Sequence, residues 1–281
     1  MKDSPHLDCA VVLLGHGSTK NADSGQAVAS LASSLRHDSL FTEVREAFWK
    51  QEPHIKGVLA SLRSARVIII PMFISDGFFC ENIIPAELGF TRDSQGNLVR
   101  ELLESGRRLS YARAVGSHEA MTGVLLARAS EVVAAHPFPV LPKPQEITLF
   151  IAGHGTEQDT NSRKSVDRHA EIIRAKGIYD DVHTVFMDEP PRIAEVFNLA
   201  RTRCVVVVPF FMSDGLHVTE DIPVMLGEPE HIVRQRLAKE QPTWRNPTEK
   251  RQKLVWYSRS VGSDPRLKDV ILERVEETLA R

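Results

Sequence analysis

A short strand-like run that ends in Gly-His-Gly occurs twice in this chain of 281 residues, and the sequence around it repeats as well. His16 and His154 are 138 positions apart, and the Val/Ile run that ends at Pro71 recurs at the same distance before Pro209. Both runs lead into a Ser-Asp-Gly sequence. Because the matching blocks follow one another in the same order, we infer that one unit of about half the chain has been duplicated.

The two copies are separated by a proline-rich stretch. His136–Pro144 contains four prolines, each of which removes a backbone donor and restricts the preceding residue. We interpret this stretch as an extended linker and predict two domains, residues 1–137 and residues 138–281.

Strand and helix patterns alternate within each copy. Short apolar runs followed by helical spacing predict two similar three-layer α/β domains with parallel sheets. The predicted strands are Cys9–Leu14, Val44–Phe48, Val67–Ile70, Tyr111–Val115, Ile147–Ala152, Val182–Met187, Val205–Val208 and Leu254–Val261. The Gly-His-Gly and Ser-Asp-Gly sequences follow strands one and three, where ligands bind in such sheets.

Composition excludes several classes of function. The formal charge is −2, from 35 Lys and Arg against 37 Asp and Glu, so no basic excess supports a nucleic-acid or membrane partner. The apolar runs are far shorter than the roughly 18 residues of a membrane span, and the N-terminus lacks the pattern of a secretory signal. Three scattered cysteines are typical of a reducing compartment, so we predict a cytoplasmic protein.

Two histidines of the second copy are candidates for chemistry. His217 follows strand three, and it meets His154 at one crevice if strands one and three are neighbours. Two neutral imidazoles in a crevice can hold a divalent metal or move protons near neutral pH. In the first copy, His16 matches His154, but Phe79 stands at the position of His217. We therefore expect His16 to have a structural or substrate-contact role rather than a ligand role.

These motifs resemble those of the class II tetrapyrrole chelatases, and in particular the sirohydrochlorin cobaltochelatases and ferrochelatases. The resemblance rests on the two Gly-His-Gly turns and on Ser213-Asp214-Gly215-Leu216-His217 followed by Asp221-Ile222-Pro223, and it covers essentially residues 8–281. It implies a chelatase-like fold and insertion of Co²⁺, Fe²⁺ or Ni²⁺ into a sirohydrochlorin-type tetrapyrrole, as in cobalamin or siroheme biosynthesis.

The resemblance also implies roles for particular residues. The motif histidines of the family correspond to His154 and His217, as metal ligands and catalytic groups, with the substrate bound in a cleft between the two domains. Substrate contacts are expected from His16 and Phe79 and from the segment Ser213, Asp214 and Gly215. The divalent metal is a substrate and no nucleotide is needed, in agreement with a sequence that lacks the Gly-x-x-x-x-Gly-Lys-Ser/Thr loop. A monomer suffices, since one chain supplies both walls of the cleft.

The chain departs from the family pattern on strand two. Family members often carry a metal-binding glutamate there, but the best register places Met187 at that position, and Trp49 in the first copy. The adjacent Asp188 and Glu189 are interpreted as a solvated acidic loop. The loss of the acid leaves three alternatives open: weaker metal capture, a changed metal preference, or a protein that binds a tetrapyrrole or metal without catalysis. A histidine-nucleophile phosphatase is disfavoured, because glycine rather than arginine precedes each histidine.

Overall fold

A computed structural model describes residues 7–18, 25–155 and 160–280. Thr156, the last residue of the second Gly-His-Gly-Thr sequence, lies outside these ranges. In the first half of the chain the strands are β1 (Leu7–Gly15), β2 (Phe41–Phe48), β3 (Arg66–Pro71), β4 (Glu101–Glu104) and β5 (Arg107–Tyr111), and the helices are α1 (Gln26–Asp38), α2 (Ile55–Ser61), α3 (Ile84–Glu87) and α4 (Met121–Ala135).

The second half repeats this order. Its strands are β6 (Ile147–Gly153), β7 (Asp181–Phe186), β8 (Cys204–Pro209), β9 (Thr248–Lys250) and β10 (Lys253–Tyr257), and its helices are α5 (Thr160–Ala175), α6 (Val196–Leu199), α7 (Ile222–Met225), α8 (Glu230–Leu237) and α9 (Leu267–Leu279). A five-residue π-helical segment precedes α3 at Phe79–Ile83 and α7 at His217–Asp221.

Each half contains one five-stranded sheet. The strand orders are β2-β1-β3-β5-β4 and β7-β6-β8-β10-β9, and all pairs are parallel except β4 with β5 and β9 with β10. The prediction of two duplicated α/β domains with parallel sheets is confirmed, except that each sheet has one antiparallel edge strand. The predicted fourth strand Tyr111–Val115 is placed too late, since β5 ends at Tyr111. The predicted strand Leu254–Val261 begins correctly within β10 but extends past its end at Tyr257. The antiparallel edge strands β4 and β9 were not predicted.

Both faces of each sheet are covered. Ala10–Leu14 of β1 and Val205–Val208 of β8 are fully buried, as expected for central strands between two layers of helices. In the first half, alternate residues of β1 and β3 pack with Ile55 and Val58 of α2 in one apolar cluster. The opposite alternation faces the other helical layer.

The two compact units of the structure do not coincide with the two halves of the chain, because each unit contains the last helix of the other half. Unit 1 comprises Met1–His118 with Pro265–Arg281, and unit 2 comprises Glu119–Asp264. Helix α4 therefore packs on β8, β10 and α5, and α9 packs on β3 and α1. The predicted domain boundary near residue 137 marks the end of the first sequence repeat. The compact units are defined by packing instead, so they divide the chain at other positions.

An arginine anchors each exchanged helix, Arg274 being buried and Arg128 largely so. Arg274 on α9 donates from Nη2 to the carbonyl oxygen of Ala114, at 2.9 Å, and to Oγ of Ser117, at 2.9 Å. Arg128 on α4 donates in the same way to the carbonyl oxygen of Ser260, at 3.1 Å, and to Oγ of Ser263, at 3.0 Å. Hydrogen bonds to a charged donor stabilise by about 1.5–3 kcal/mol, so these contacts help to fix each helix on its sheet.

Candidate functional site

The two predicted histidines lie at the carboxyl edge of the second sheet. His154 directly follows β6, and His217 begins the π-helical segment that comes after β8. Since β6 and β8 are parallel neighbours, with Ala152 opposite Pro209, their ends meet at one edge of the sheet. The two imidazole ring centroids are 5.0 Å apart and the ring planes are 87° apart. Both side chains are open to solvent, at 45% and 52% exposure.

The turn that presents His154 depends on Gly155. This residue has φ +74, a left-handed conformation that glycine adopts without strain. A Cβ atom added there would also lie 2.8 Å from Cγ of Glu189. The carbonyl oxygen of His154 accepts hydrogen bonds from the amides of Met187, at 3.0 Å, and Asp188, at 3.1 Å. The turn is therefore held against the end of β7.

The hydrogen bonds of both rings determine which nitrogen is available. Nδ1 of His154 is 2.8 Å from the carbonyl oxygen of Gly155, which can only accept, so Nδ1 carries the proton. Nδ1 of His217 is 2.7 Å from Oδ2 of Asp221. In the neutral form each ring therefore has its lone pair on Nε2. Two Nε2 atoms at the edge of the sheet can bind a borderline cation or accept protons.

Asp188, which the sequence places in a solvated acidic loop, has a side chain that is 57% exposed and that also contacts His154. Its Oδ2 atom lies 3.2 Å from Nδ1 of His154. Met187, the position matched to the strand-two glutamate of the resembled family, is instead buried in the apolar core. Since β7 ends at Phe186, strand alternation does not determine where Asp188 points. The hydrogen bonds from the amides of Met187 and Asp188 to the carbonyl oxygen of His154 hold Asp188 next to His154. No pattern in the sequence indicates these backbone hydrogen bonds.

An aromatic wall borders the pair of histidines. The Phe211 ring centroid is 6.5 Å from that of His154 and 6.2 Å from that of His217. Leu216, next to His217, is an exposed large apolar residue.

Within the described ranges, no three His, Cys, Asp or Glu side chains form a group that could hold a metal ion. Burial raises the pKa of the Cys9 and Cys204 thiols, which disfavours the thiolate form.

The corresponding edge of the first sheet is aromatic. The His16 ring centroid lies 5.5 Å from that of Trp49, 6.2 Å from that of Phe73 and 5.9 Å from that of Phe79. Trp49 and Phe79 also contact each other, at 5.1 Å. Nδ1 of His16 is 2.8 Å from the carbonyl oxygen of Gly17, as in the second unit. The duplicated frame thus carries a histidine pair in one copy and a single histidine among aromatic rings in the other.

The Ser-Asp-Gly loop has a structural role at this edge. Oδ1 of Asp214 accepts a hydrogen bond from the amide of Ser260, at 2.7 Å, and Oδ2 accepts one from Nε of Arg259, at 2.9 Å. Burial alone would raise the pKa of Asp214, but the hydrogen bonds and the Arg259 charge outweigh it and leave the pKa below its ordinary value. The carbonyl oxygen of Gly215 accepts a hydrogen bond from the amide of Val218, at 2.9 Å, near the start of the π-helical segment. Substrate contact by Ser213, Asp214 and Gly215 stays a prediction.

The sequence of the whole chain decides its family. The profile of the CbiX family matches residues 10–132 and again residues 148–278. The chain belongs to the CbiX family. The resemblance to the class II chelatases is thereby confirmed, and both copies of the repeat are CbiX units.

Curated relatives of this CbiX chain carry chelatase names. A Halobacterium salinarum protein named probable sirohydrochlorin cobaltochelatase is 37% identical over 278 residues, which cover 95% of this chain and 91% of that protein. A Methanopyrus kandleri sirohydrochlorin cobaltochelatase is 30% identical over 141 residues, covering 47% of this chain and 97% of that protein. The second relative therefore corresponds to a single CbiX unit.

Solved structures share the fold of the CbiX chain. A multi-domain Deinococcus radiodurans protein with structural similarity to chelatases matches at TM-score 0.75 and 25% identity, over 96% of this chain. The CbiX chain spans 55% of the length of that protein. Bacillus subtilis SirB, solved with Fe³⁺, matches at TM-score 0.68 and 19% identity, over 98% of this chain and 96% of that one.

Three of the seven basic residues in the segment Arg234–Lys253 of the CbiX chain form ion pairs with glutamates of the same unit. Arg234 contacts Glu220 at 2.9 Å, and Arg236 contacts Glu228 at 2.9 Å. Lys250 also contacts Glu228, at 3.2 Å. Separately, no helix in the described part of the chain has the length and apolar character needed to cross a bilayer.

Proposed function

We propose that this CbiX-family chain inserts a divalent metal, Co²⁺, Fe²⁺ or Ni²⁺, into a sirohydrochlorin-type tetrapyrrole. The single observation that carries the proposal is the His154–His217 pair, whose ring centroids are 5.0 Å apart. Each ring makes its hydrogen bond through Nδ1, which leaves Nε2 to bind a cation or accept a proton. The 37% identity to a probable sirohydrochlorin cobaltochelatase supports the choice of substrate.

The histidine pair suits the proton balance of the reaction. Metal insertion replaces two pyrrole N–H hydrogens with one divalent cation and so releases two protons. Each imidazole first binds the cation through Nε2, and the same nitrogen becomes free to accept a pyrrole proton as the cation passes to the ring. The Asp188 and Asp221 carboxylates, at 3.2 Å and 2.7 Å from the Nδ1 atoms, stabilise the two imidazolium ions that form.

The first unit is proposed to contact the macrocycle rather than the metal. His16 and Phe79 lie in an aromatic group with Trp49 and Phe73. Phe79 and its neighbour Phe78 are both exposed large apolar side chains, a surface suited to a flat, apolar ring. The proposal includes no nucleotide, a monomeric working form and a cytoplasmic location. Gel filtration with light scattering tests the monomer.

The function is tested by mixing purified protein with sirohydrochlorin and each metal in turn, and by following the visible absorbance of the ring. We expect insertion faster than in the protein-free mixture, with more than one metallated ring formed per chain. No acceleration with any of the three metals would overturn the proposal. Tight tetrapyrrole binding with a single turnover or none would instead establish the non-catalytic alternative.

A further inference from the structure

Asp221 and His217 form the closest carboxylate–imidazole contact of the candidate site. Oδ2 of Asp221 lies 2.7 Å from Nδ1 of His217, one helical turn earlier on the same π-helical segment. The Asp221 side chain keeps 42% of its surface exposed. An exposed carboxylate gains little from a surface ion pair alone, so its position calls for another explanation.

The first unit shows that the backbone does not need this aspartate. The segment Phe79–Ile83 has the same length and the same π-helical form as His217–Asp221. The residue before each segment has nearly the same dihedral angles, φ −54 and ψ −38 at Phe78 against φ −55 and ψ −38 at Leu216. Ile83 stands at the position of Asp221. The segment therefore folds with isoleucine at that position as well as with aspartate.

The aspartate occurs only in the copy that has the histidine. Phe79 replaces His217 and Ile83 replaces Asp221, so both members of the contact are polar in the second unit and apolar in the first. A residue that served the helix would not have to change together with the ring one turn away. This joint difference links Asp221 to the chemistry of His217.

We propose that Asp221 is a positioning residue, which holds His217 as the Nδ1–H tautomer with Nε2 directed to the incoming divalent cation. The inference rests on the proposed function and deepens it. A carboxylate that accepts the Nδ1 proton of a metal-binding histidine fixes the ring orientation and makes Nε2 a stronger donor, and losing such a partner typically weakens metal binding about 10–100-fold.

Asp221→Ile tests the proposal, because the first unit already accommodates isoleucine at this position. We expect an unchanged circular dichroism spectrum, a Co²⁺ dissociation constant raised about 10–100-fold, and appearance of the Nε2–H tautomer of His217. Long-range ¹H–¹⁵N correlation spectra of histidine-labelled protein report the tautomer, and His217→Ala assigns the signal. Asp221→Asn keeps an acceptor oxygen, so it is expected to restore most of the Nδ1–H form and part of the affinity.

A second aspartate–histidine pair of the same unit provides the matched control. Asp181 contacts Nε2 of His183 at 3.1 Å and lies at the opposite end of the sheet, at the start of β7. Asp181→Asn is expected to leave both readouts at His217 unchanged. Wild-type tautomer and Co²⁺ affinity in Asp221→Ile would overturn the positioning role. If wild-type protein inserts no metal but both readouts still depend on Asp221, the chelatase proposal fails and the positioning role stands.

Discussion

Gly262 lies directly against the backbone of Met212, so closely that a Cβ atom at Gly262 would be 2.1 Å from the Met212 carbonyl carbon. The amide of Gly262 donates to the carbonyl oxygen of Phe211 at 2.9 Å. In the first unit, Gly116 approaches Ile74 in the same way, with 2.2 Å from the added Cβ to the carbonyl oxygen. The turn after β10 therefore fixes the loop that carries Phe211 and leads to His217.

Gly262→Ala is expected to destabilise the protein severely, by about 3 kcal/mol or more, because backbone on both sides has to move. Urea denaturation followed by circular dichroism measures the change. Gly123→Ala is the matched control, since Gly123 is exposed in α4 and a Cβ there meets nothing within 4 Å. It should be neutral or stabilising by up to about 1 kcal/mol. Equal midpoints for Gly262→Ala and wild type would contradict the close approach.

Removing the imidazoles should abolish most of the metal insertion. We expect His154→Ala and His217→Ala each to lower kcat/KM for insertion about 10²–10⁴-fold, the range for losing a proton-transfer group. The double variant should fall little further, because the two rings are proposed to act on one metal. His231→Ala, on an exposed position of α8, is the control and should retain full activity. Activity retained in the double variant would refute the site assignment.

Asp188 is expected to contribute to metal capture through His154. Asp188→Ala removes the carboxylate 3.2 Å from Nδ1 of His154, and the KM for Co²⁺ should rise about 10-fold with a smaller change in kcat. Lys50 occupies the same position in the first unit. Lys50→Ala should therefore leave the KM for Co²⁺ unchanged. Steady-state assays with varied Co²⁺ measure the KM of both variants. An unchanged KM in Asp188→Ala would show that this carboxylate does not contribute to metal capture.

The repeat was sufficient to predict the duplicated fold, but not the helix exchange. Val/Ile runs such as Val67–Ile70 are buried on both faces, so composition identifies them as central strands. The apolar faces of α4 and α9 show only that each helix is buried. The two sheets are copies of one another, so no pattern within a helix indicates which sheet it covers. Packing decides, and it places α9 in the first unit and α4 in the second.

The edge strands and the contact between Asp188 and His154 were not predicted, for different reasons. β4 is four residues long and largely exposed, so it carries neither alternation nor an apolar run. Asp188 lies beyond the end of β7, where side-chain periodicity no longer applies, and its backbone is held next to His154 by hydrogen bonds from the amides of Met187 and Asp188 to the carbonyl oxygen of His154. By contrast, His154 and His217 follow the two neighbouring central strands, and strand order alone brings them together.

Asp214 should make folding stability depend on pH in the acid range. Its pKa is held below the ordinary value in the folded protein, so its contribution is complete above the pKa of the unfolded chain, about 3.9, and is lost as the pH falls through the lower folded value. Asp214→Asn loses the charge that binds Arg259 but keeps an acceptor for the Ser260 amide. We expect a deficit of about 2 kcal/mol at pH 7. Urea denaturation from pH 7 to pH 3 should show the difference in free energy of unfolding between wild type and Asp214→Asn disappearing below about pH 4. Asp269→Asn, on the exposed side of α9, is the control and should have the stability of wild type at every pH. A gap that stays constant down to pH 3 would contradict a depressed pKa.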